Sequence, residues 1–342
     1  MFILIIYNLI YLIFKSDKLK LLLFEESHYL YINCIVKSCD KMTIGVHVSK
    51  TVSMRDNKKK TRKMSEALQD DLGFIKDFNI NSPCAQIFVT GPQNYHETMD
   101  EEEKNKVRKF IKETGTDVVI HGAYVDFPWK LSYGSIHNIK QEMKIAAHIG
   151  ATGVVIHLGH GAFSDDVINN VLTQINKLPD NVLETTVLWL EINAAKSSET
   201  TYETPEKLLT LFNKVSTITK NMKLKVGLCI DTAHLYACGI SLDTYNKAQQ
   251  WIEALPDVPI MMHLNDSGSV LGSGKDLHAE LAKGNIWKAY HPETGHLPFE
   301  DSGLCFLLLW AEQNNIMTIL ERDSEGAIHD LMLITNMGYF ID

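Results

Sequence analysis

Short runs of apolar residues recur along most of the chain and alternate with longer stretches in which apolar residues return every three or four positions. A run of four to six apolar residues is typical of a strand buried on both faces of a parallel sheet. The longer stretches have the periodicity of amphipathic helices. The pattern predicts strands at 43–48, 85–89, 117–121, 153–157, 186–192, 226–231, 259–265 and 317–321. It predicts helices within 61–78, 102–114, 136–149, 165–176, 205–219, 244–254 and 302–315.

Eight strands that alternate with helices are the number required for a (β/α)8 TIM barrel. We therefore predict an α/β protein in which residues 42–342 form one barrel domain. Residues 1–41 are predicted to be an N-terminal extension of unknown role, and Met42 could serve as a start. Residues 1–14 are almost wholly apolar. That run is shorter than a typical transmembrane helix, so membrane association or targeting stays open.

Six of the apolar runs end in a residue that can bind a metal ion. These residues are His121, His157, Glu191, Asp231, His263 and Glu321. Their successive spacings of 32 to 40 residues, followed by one of 58, suit one strand and one helix with their loops. The carboxyl ends of barrel strands meet at one face, so the six side chains are predicted to converge there. Because buried unpaired charges are costly, their convergence predicts a metal site.

Three more candidate ligands follow these strands. His234 lies three residues after Asp231, and Asp276 and His278 form an Asp-x-His pair in the long loop after the seventh strand. Nine candidate ligands, five of them histidines, exceed what one ion needs and favour two or three zinc-like ions over magnesium. His47 ends the first strand, and we interpret it as a structural neighbour of the site.

Net charge bears on whether the protein binds nucleic acid, and cysteine content bears on the redox state of its compartment. The formal charge of −9 argues against a generic nucleic-acid binder. However, three divalent ions would bring it to about −3 and concentrate positive charge in the site, so charge does not exclude DNA. The six cysteines are scattered and form no C-x-x-C pair. This usage is typical of an intracellular, reducing compartment, either cytoplasm or nucleus.

Several motifs resemble those of the endonuclease IV family of apurinic/apyrimidinic (AP) endonucleases, also called AP endonuclease family 2. They are Ile44-Gly45-Val46-His47-Val48-Ser49, Ile120-His121-Gly122-Ala123-Tyr124, Cys229-Ile230-Asp231-Thr232-Ala233-His234, Met262-His263-Leu264-Asn265-Asp266-Ser267 and Asp276-x-His278. The resemblance covers roughly residues 42–335, and the order of the motifs makes it specific.

The resemblance implies a barrel with three zinc ions that hydrolyses the phosphodiester 5′ to an abasic site in duplex DNA. The products would be a 3′-hydroxyl and a 5′-deoxyribose phosphate, as in base excision repair. The first ion would be held by His121, His157 and Glu191, and the second by Glu191, Asp231, His263 and Glu321. The third would be held by His234, Asp276 and His278. Glu191 or Glu321 would orient or deprotonate the nucleophile.

The resemblance also implies DNA contacts and a partner. Tyr124, followed by Val125, matches a family residue that inserts into the DNA stack. Gln93 lies near the place of a family arginine, and Leu277 replaces the arginine of the family Asp-Arg-His motif. The region from Trp287 to His296 departs as well. We expect a monomer with no obligate protein partner, acting on duplex DNA with abasic sites or damaged 3′ ends.

Two other functions stay open. A sugar isomerase or epimerase of the xylose-isomerase-like class would need only Glu191, Asp231, His263 and Glu321. The other histidines and the Asp-x-His pair are surplus to that function. A non-catalytic binder of damaged DNA would have no need for the full ligand set.

Overall fold

Eight parallel strands close into a barrel, which confirms the fold predicted from the sequence. The computed structural model describes residues 42–53, 59–78, 80, 82–91, 96–124, 129, 133–159, 163–198, 200–322 and 326–336. The barrel strands are β1 Thr43–Val48, β2 Ser82–Ile87, β3 Asp117–His121, β4 Gly153–His157, β5 Val187–Glu191, β6 Lys225–Asp231, β7 Ile260–His263 and β8 Thr318–Leu320. Each pairs with its sequence neighbours, and β8 closes on β1. The predicted extension, residues 1–41, lies outside the described residues.

Helices follow the strands and cover the outside of the barrel. They are α1 Met64–Lys76, α2 Glu101–Thr114, α3 Tyr133–Ile149, α4 Asp165–Ile175, α5 Asp180–Thr185, α6 Pro205–Thr219, α7 Thr232–Ala237, α8 Tyr245–Glu253, α9 Gly303–Gln313 and α10 Ile328–Thr335. Several begin at a polar cap: Asp100 accepts a hydrogen bond from the backbone N–H of Glu103, and Ser302 accepts one from Cys305. Among the described residues, no helix is both long and apolar enough to cross a membrane.

Two of the strand boundaries that differ from the prediction have a clear physical reason. β2 begins at Ser82, three residues earlier than predicted, and its first two residues pair only with β1. Pro83 can lie there because its missing N–H is not needed by a second neighbour. β7 ends at His263, two residues earlier than predicted, because Asp266 and Ser267 pair with the antiparallel segment His278–Ala279.

One layer of mostly apolar side chains fills the interior of the barrel below the carboxyl ends of the strands. Its members are Cys84, Val119, Val155, Trp189, Cys229, Met261 and Ile319. The Trp189 ring lies above two glycines: a Cβ atom on Gly227 would stand 2.5 Å from that ring, and one on Gly153 would stand 2.8 Å from its indole nitrogen. The layer forms an apolar floor, and the strands continue beyond it towards their carboxyl ends.

Candidate metal centre

A polar layer lies directly above the apolar floor. Successive side chains of a strand point to opposite faces, so a residue two positions after a floor residue also points inward. This places Gln86, His121, His157, Glu191, Asp231, His263 and Glu321 in the barrel mouth. Strand pairing brings His157 beside Glu191, and Asp231 beside His263. Most of these side chains are buried, so each needs a partner of opposite charge or a hydrogen bond.

Three sets of these side chains could each hold a metal ion. The described residues include the groups His121/His157/Glu191, Glu191/Asp231/His263/Glu321 and Asp231/His234/His278. We call them the first, second and third groups. Glu191 is shared by the first two and Asp231 by the last two. All nine candidate ligands predicted from the sequence lie at this face, because Asp276 contacts two histidines of the third group.

The first group is built around one oxygen of Glu191. The Nε2 atoms of His121 and His157 each lie 3.2 Å from Glu191 Oε2. The other ring nitrogen of His121 lies 2.8 Å from the carbonyl oxygen of Gly122. If that nitrogen carries the proton, Nε2 is left with a lone pair for a metal ion.

The second group uses the other oxygen of Glu191. His263 Nδ1 lies 3.0 Å from Glu191 Oε1 and 3.3 Å from Glu321 Oε2. His263 Nε2 lies 2.8 Å from Gln86 Oε1. Gln86 also donates a hydrogen bond of 2.7 Å to Glu321 Oε1. The amide of Gln86 therefore orients one histidine and one carboxylate of the same group.

The third group is assembled where β6 passes into α7. Asp231 caps α7 by accepting a hydrogen bond of 2.7 Å from the backbone N–H of His234, so the two side chains lie on one side. His234 Nδ1 lies 2.7 Å from the carbonyl oxygen of Ile192. Asp276 lies 3.3 Å from His234 Nε2 and 3.1 Å from His278 Nε2. The resemblance implied Asp276 as the carboxylate here, and Asp231 also lies close to both histidines, at 4.0 Å from His234 Nε2 and 3.7 Å from His278 Nε2.

The donor set of these groups fits a metal ion. His278 Nε2 is buried and makes no hydrogen bond of normal geometry among the described residues. It lies 3.7 Å from Asp231 and faces the third group, so a cation would satisfy it. The site offers only imidazole nitrogen and carboxylate oxygen, which are ordinary ligands of zinc. Magnesium prefers oxygen ligands and retained water, so it fits this set less well.

Opposite charges compensate one another among the side chains of the three groups. Burial would raise the pKa of Glu191, but neighbouring imidazoles, foremost His157 and His263, hold that pKa well below its usual value. Burial would lower the pKa of His278, but the nearby carboxylates of Asp276, Asp231 and Glu321 raise it to about 9. Glu321 has its pKa lowered to about 2 by nearby imidazoles, despite burial. These carboxylates thus favour the protonated form of His278, and a divalent ion could replace that proton.

Two polar residues of the site were not identified from the sequence. Gln86 lies inside the apolar run of β2 and not at its end, although its position two residues after Cys84 could have revealed its inward direction. Asn265 lies within a quoted motif but received no role. Its amide donates hydrogen bonds to Asp231 at 2.8 Å and to Glu321 at 3.3 Å. Both residues hold the carboxylates in place.

We predict that Gln86→Met lowers the affinity of the second group for zinc by about 10- to 100-fold, the usual cost of losing a partner that orients a ligand. Methionine is close in length to glutamine but leaves His263 and Glu321 without their amide contacts. Competition with a chelator of known affinity measures the change. Gln249→Met on α8 is the control, because Gln249 donates its side-chain hydrogen bond to Glu253 on the surface. Equal zinc affinity in both variants would show that Gln86 does not orient the ligands.

Tyr124 lies at the edge of the site. Its ring is stacked on His157 with centroids 5.4 Å apart, and it meets His121 and Phe88 edge-on at 5.2 and 5.5 Å. The residue is still 43% exposed. It therefore packs against the barrel and offers one side to solvent. Val125 and Gln93, the other predicted DNA contacts, lie outside the described residues.

Asp266 holds the loop after β7 that carries Asp276 and His278. Its carboxylate accepts hydrogen bonds from the backbone N–H groups of Ser267 at 2.7 Å and Ile286 at 2.9 Å, and longer ones from Gly284 and Trp287. This one buried side chain ties together both ends of the loop segment 266–287. The sequence predicted a long loop here, and its order comes from these contacts.

Comparisons with known proteins identify the family and the fold. A family model described as a xylose isomerase-like TIM barrel matches residues 80–304. A probable AP endonuclease of African swine fever virus is 33% identical over 269 residues, which are 76% of this chain and 86% of the viral protein. A probable endonuclease 4 of a Sulfurihydrogenibium species is 26% identical over 259 residues, 72% of this chain and 85% of that protein. The crystal structure of AsfvAP:AG matches with a TM-score of 0.72 and 30% identity, covering 88% of this chain and 97% of that one.

Proposed function

Because the chain belongs to the endonuclease IV family of AP endonucleases, within the xylose isomerase-like TIM barrels, we propose that it hydrolyses the phosphodiester 5′ to an abasic site in duplex DNA. The products would be a 3′-hydroxyl and a 5′-deoxyribose phosphate. We propose zinc as the metal and three ions as the full complement. The same site would act on damaged 3′ ends.

The observation that carries this proposal is the fusion of three ligand groups at the barrel mouth. Glu191 belongs to two groups, and Asp231 also belongs to two, so the groups are contiguous. Divalent ions bound there would set positive charge against the phosphodiester and supply a hydroxide nucleophile at neutral pH. A phosphodiester is anionic and resists attack by hydroxide, so hydrolysis benefits most from such concentrated positive charge.

The chain's own residues have distinct roles in this proposal. Glu191, fully buried between the first and second groups, keeps its carboxylate ionised because imidazoles surround it. It is placed to orient the nucleophile between the groups. Glu321 lies at the rim of the second group, held by Gln86 and Asn265, and is the alternative base. Either carboxylate could accept a proton from the attacking water.

Selectivity for abasic sites follows from the cost of extruding a nucleotide. A nucleotide without a base has no stacking to lose, so it can be turned into the barrel mouth more cheaply than a normal one. An aromatic side chain at the mouth could fill the gap left in the stack. Tyr124, half-exposed above His157, is suited to this role.

We expect Tyr124→Ala to weaken binding of abasic duplex by about tenfold, because stacking on an aromatic ring contributes about 1–3 kcal/mol per base. The single-turnover rate at saturating protein should change much less. Tyr236→Phe, which alters a tyrosine that bonds the carbonyl oxygen of Asn285, is the control. Equal loss of binding and of rate, or loss of neither, would contradict the wedge role.

A paired-substrate assay tests the proposed function. The zinc-loaded protein is incubated with a duplex that carries one abasic site and with the same duplex lacking it. A cut confined to the first duplex is expected. Equal cutting of both duplexes, or of neither, would contradict the proposal.

The isomerase alternative needs only the second group. The first and third groups, with the paired histidines His121 and His157 and the Asp-x-His pair, have no use in it. We also propose that the protein acts as a monomer, because all nine proposed ligands come from one chain. No second subunit is needed to complete the site.

A further inference from the structure

A buried carboxylate outside the nine proposed ligands lies close to the loop that follows His121. It belongs to Glu142, a residue of α3 whose side chain is fully buried. A buried carboxylate costs free energy unless hydrogen bonds compensate it, so its partners indicate its role. Two of those partners come from different loops of the barrel mouth, the loop after β2 and the loop after β3.

One oxygen of Glu142 accepts hydrogen bonds from both loops. The hydroxyl of Thr90, in the loop after β2, donates to Oε1 at 2.8 Å. The backbone N–H of Ala123, in the loop after β3, donates to the same oxygen at 3.4 Å. Thr90 and Ala123 are both buried, so water does not readily replace either bond. A single atom of α3 therefore connects two loops of the barrel mouth.

The two connected loops also carry predicted DNA contacts. Thr90 forms an isolated β-bridge with Glu97, and Gln93 lies in the segment between them. In the other loop, Tyr124 directly follows Ala123. The carboxylate on α3 therefore bonds each loop at its base, a few residues from the side chain that is predicted to contact DNA.

The peptide group between Gly122 and Ala123 connects Glu142 to a candidate metal ligand. Its N–H group, which belongs to Ala123, donates to Glu142. Its carbonyl oxygen, which belongs to Gly122, lies 2.8 Å from His121 Nδ1. A carbonyl oxygen only accepts hydrogen bonds, so this contact requires the proton on Nδ1. The Nε2 atom of His121, 3.2 Å from Glu191 Oε2, then keeps its lone pair for a metal ion.

Gly122 allows the carboxylate to come this close to the loop. A Cβ atom at Gly122 would lie 2.9 Å from Glu142 Oε2, 2.9 Å from Ile156 Cγ2 and 3.0 Å from the carbonyl oxygen of Val155. The N–H group of Gly122 donates to that carbonyl oxygen at 2.8 Å. The loop after β3 is therefore held from two sides, by β4 and by α3, and these contacts set the orientation of its first peptide groups.

We propose that Glu142 is a positioning residue for the first ligand group and for the loop that follows it. By holding the Gly122–Ala123 peptide group, it sets the orientation and tautomer of His121 and the place of Tyr124. Partners that orient a metal-binding histidine commonly raise the affinity for the metal ion. This inference rests on the proposed function and adds to it a residue that acts through the backbone.

Glu142→Met should lower the zinc affinity of the first group about tenfold, because methionine keeps the shape but offers no oxygen to the N–H group of Ala123. Glu142→Gln should stay within about twofold of the wild type, because its amide oxygen can still accept both hydrogen bonds. Competition with a chelator of known affinity, in the absence of DNA, measures both variants. An excess of zinc should restore most of the maximum cleavage rate of Glu142→Met.

Glu103→Met is the matched control for the loss of a buried carboxylate. Glu103 lies buried on α2, and it also accepts a hydrogen bond from a backbone N–H group, that of Ser65 on α1, at 2.7 Å. Its replacement should lower the thermal stability of the fold and leave the zinc affinity unchanged. A difference in zinc affinity between the two methionine variants therefore reports on the position of Glu142 and not on burial alone.

Binding of abasic duplex in excess zinc tests the action of Glu142 on Tyr124. Glu142→Met should weaken this binding about tenfold, as Tyr124→Ala does, and the two substitutions together should weaken it no further. Residues that act through each other give such a non-additive result. A loss of about a hundredfold in the combined variant would mean that the two act independently, and would contradict the proposal.

The proposal is overturned if Glu142→Met keeps the zinc affinity of the wild type, if Glu103→Met loses as much of it, or if Glu142→Gln is equally impaired. Should Glu142→Met not fold, Glu142→Asp, one methylene shorter, takes its place with the same expected loss. Failure of both to fold overturns the proposal, because the residue would then act on folding. A wild type that binds zinc but cuts no abasic duplex contradicts the proposed function alone, and one that binds no zinc overturns both.

Discussion

Glu191→Gln should lower the rate of abasic-site cleavage by about a thousandfold or more, because it removes charge from two ligand groups at once. One carboxylate oxygen lies 3.2 Å from both His121 and His157, and the other lies 3.0 Å from His263. Glutamine keeps the shape but offers one carbonyl oxygen and no negative charge. We therefore also expect the zinc content of the variant to fall.

Folding and catalysis are separated by a matched control. Glu203 is also buried, at 2% exposed, and accepts hydrogen bonds from Lys207 and Ser197, none of which is a candidate ligand. Glu203→Gln should retain full zinc content and a cleavage rate near that of the wild type, whatever it does to thermal stability. Retained cleavage in Glu191→Gln, measured on protein whose zinc content is known, would remove Glu191 from the centre of the site.

Asp276→Asn combined with His278→Gln should lower the zinc content by about one ion per chain and slow cleavage by about a hundredfold. Asp276 lies 3.3 Å from His234 Nε2 and 3.1 Å from His278 Nε2, so the pair holds the open side of the third group. Neither Asp276 nor His278 belongs to the first or the second group. Metal analysis and single-turnover cleavage measure the two effects.

The same double variant also distinguishes an AP endonuclease from a sugar isomerase. An isomerase built on Glu191, Asp231, His263 and Glu321 would lose neither metal nor activity on its substrate when the third group is removed. His329→Gln is the control. His329 lies on α10, close to Asp330 and to Glu280, and it is not one of the proposed ligands. Unchanged zinc content in the double variant would contradict a third ion at this place.

The barrel could be predicted because each buried strand leaves an apolar run in the sequence. All eight predicted strands match barrel strands; β1, β3 and β4 match at both ends, and the ends of the others differ by at most three residues. α5, α7 and α10 were not predicted. α5 and α7 have only six residues each, too few for a clear helical period, and α10 follows β8 in a stretch assigned to no element. Tertiary packing, and not local periodicity, defines these three helices.

Six of the nine candidate ligands could be predicted because each ends an apolar run, His234 because it follows one by three residues, and Asp276 and His278 because they form an Asp-x-His pair. Gln86 and Asn265 were not identified from the sequence because no apolar run ends at either residue. Their roles depend on hydrogen bonds between different strands. The contacts of Tyr124 and the exposure of Leu277 depend on loop conformation, for which the sequence carries no periodic signal. Residue identity thus revealed the candidate ligands, while the contacts made by loop residues could be seen only in the structure.

The measurement that tests the account most directly is mapping of both DNA ends after the zinc-loaded protein acts on a duplex with one abasic site. We predict one cut 5′ to the site, a 3′-hydroxyl that a polymerase extends, and loss of cutting after chelation with recovery on adding zinc. A cut 3′ to the site that leaves an unsaturated aldehyde, or cutting that survives complete removal of metal, would contradict metal-dependent hydrolysis at this centre.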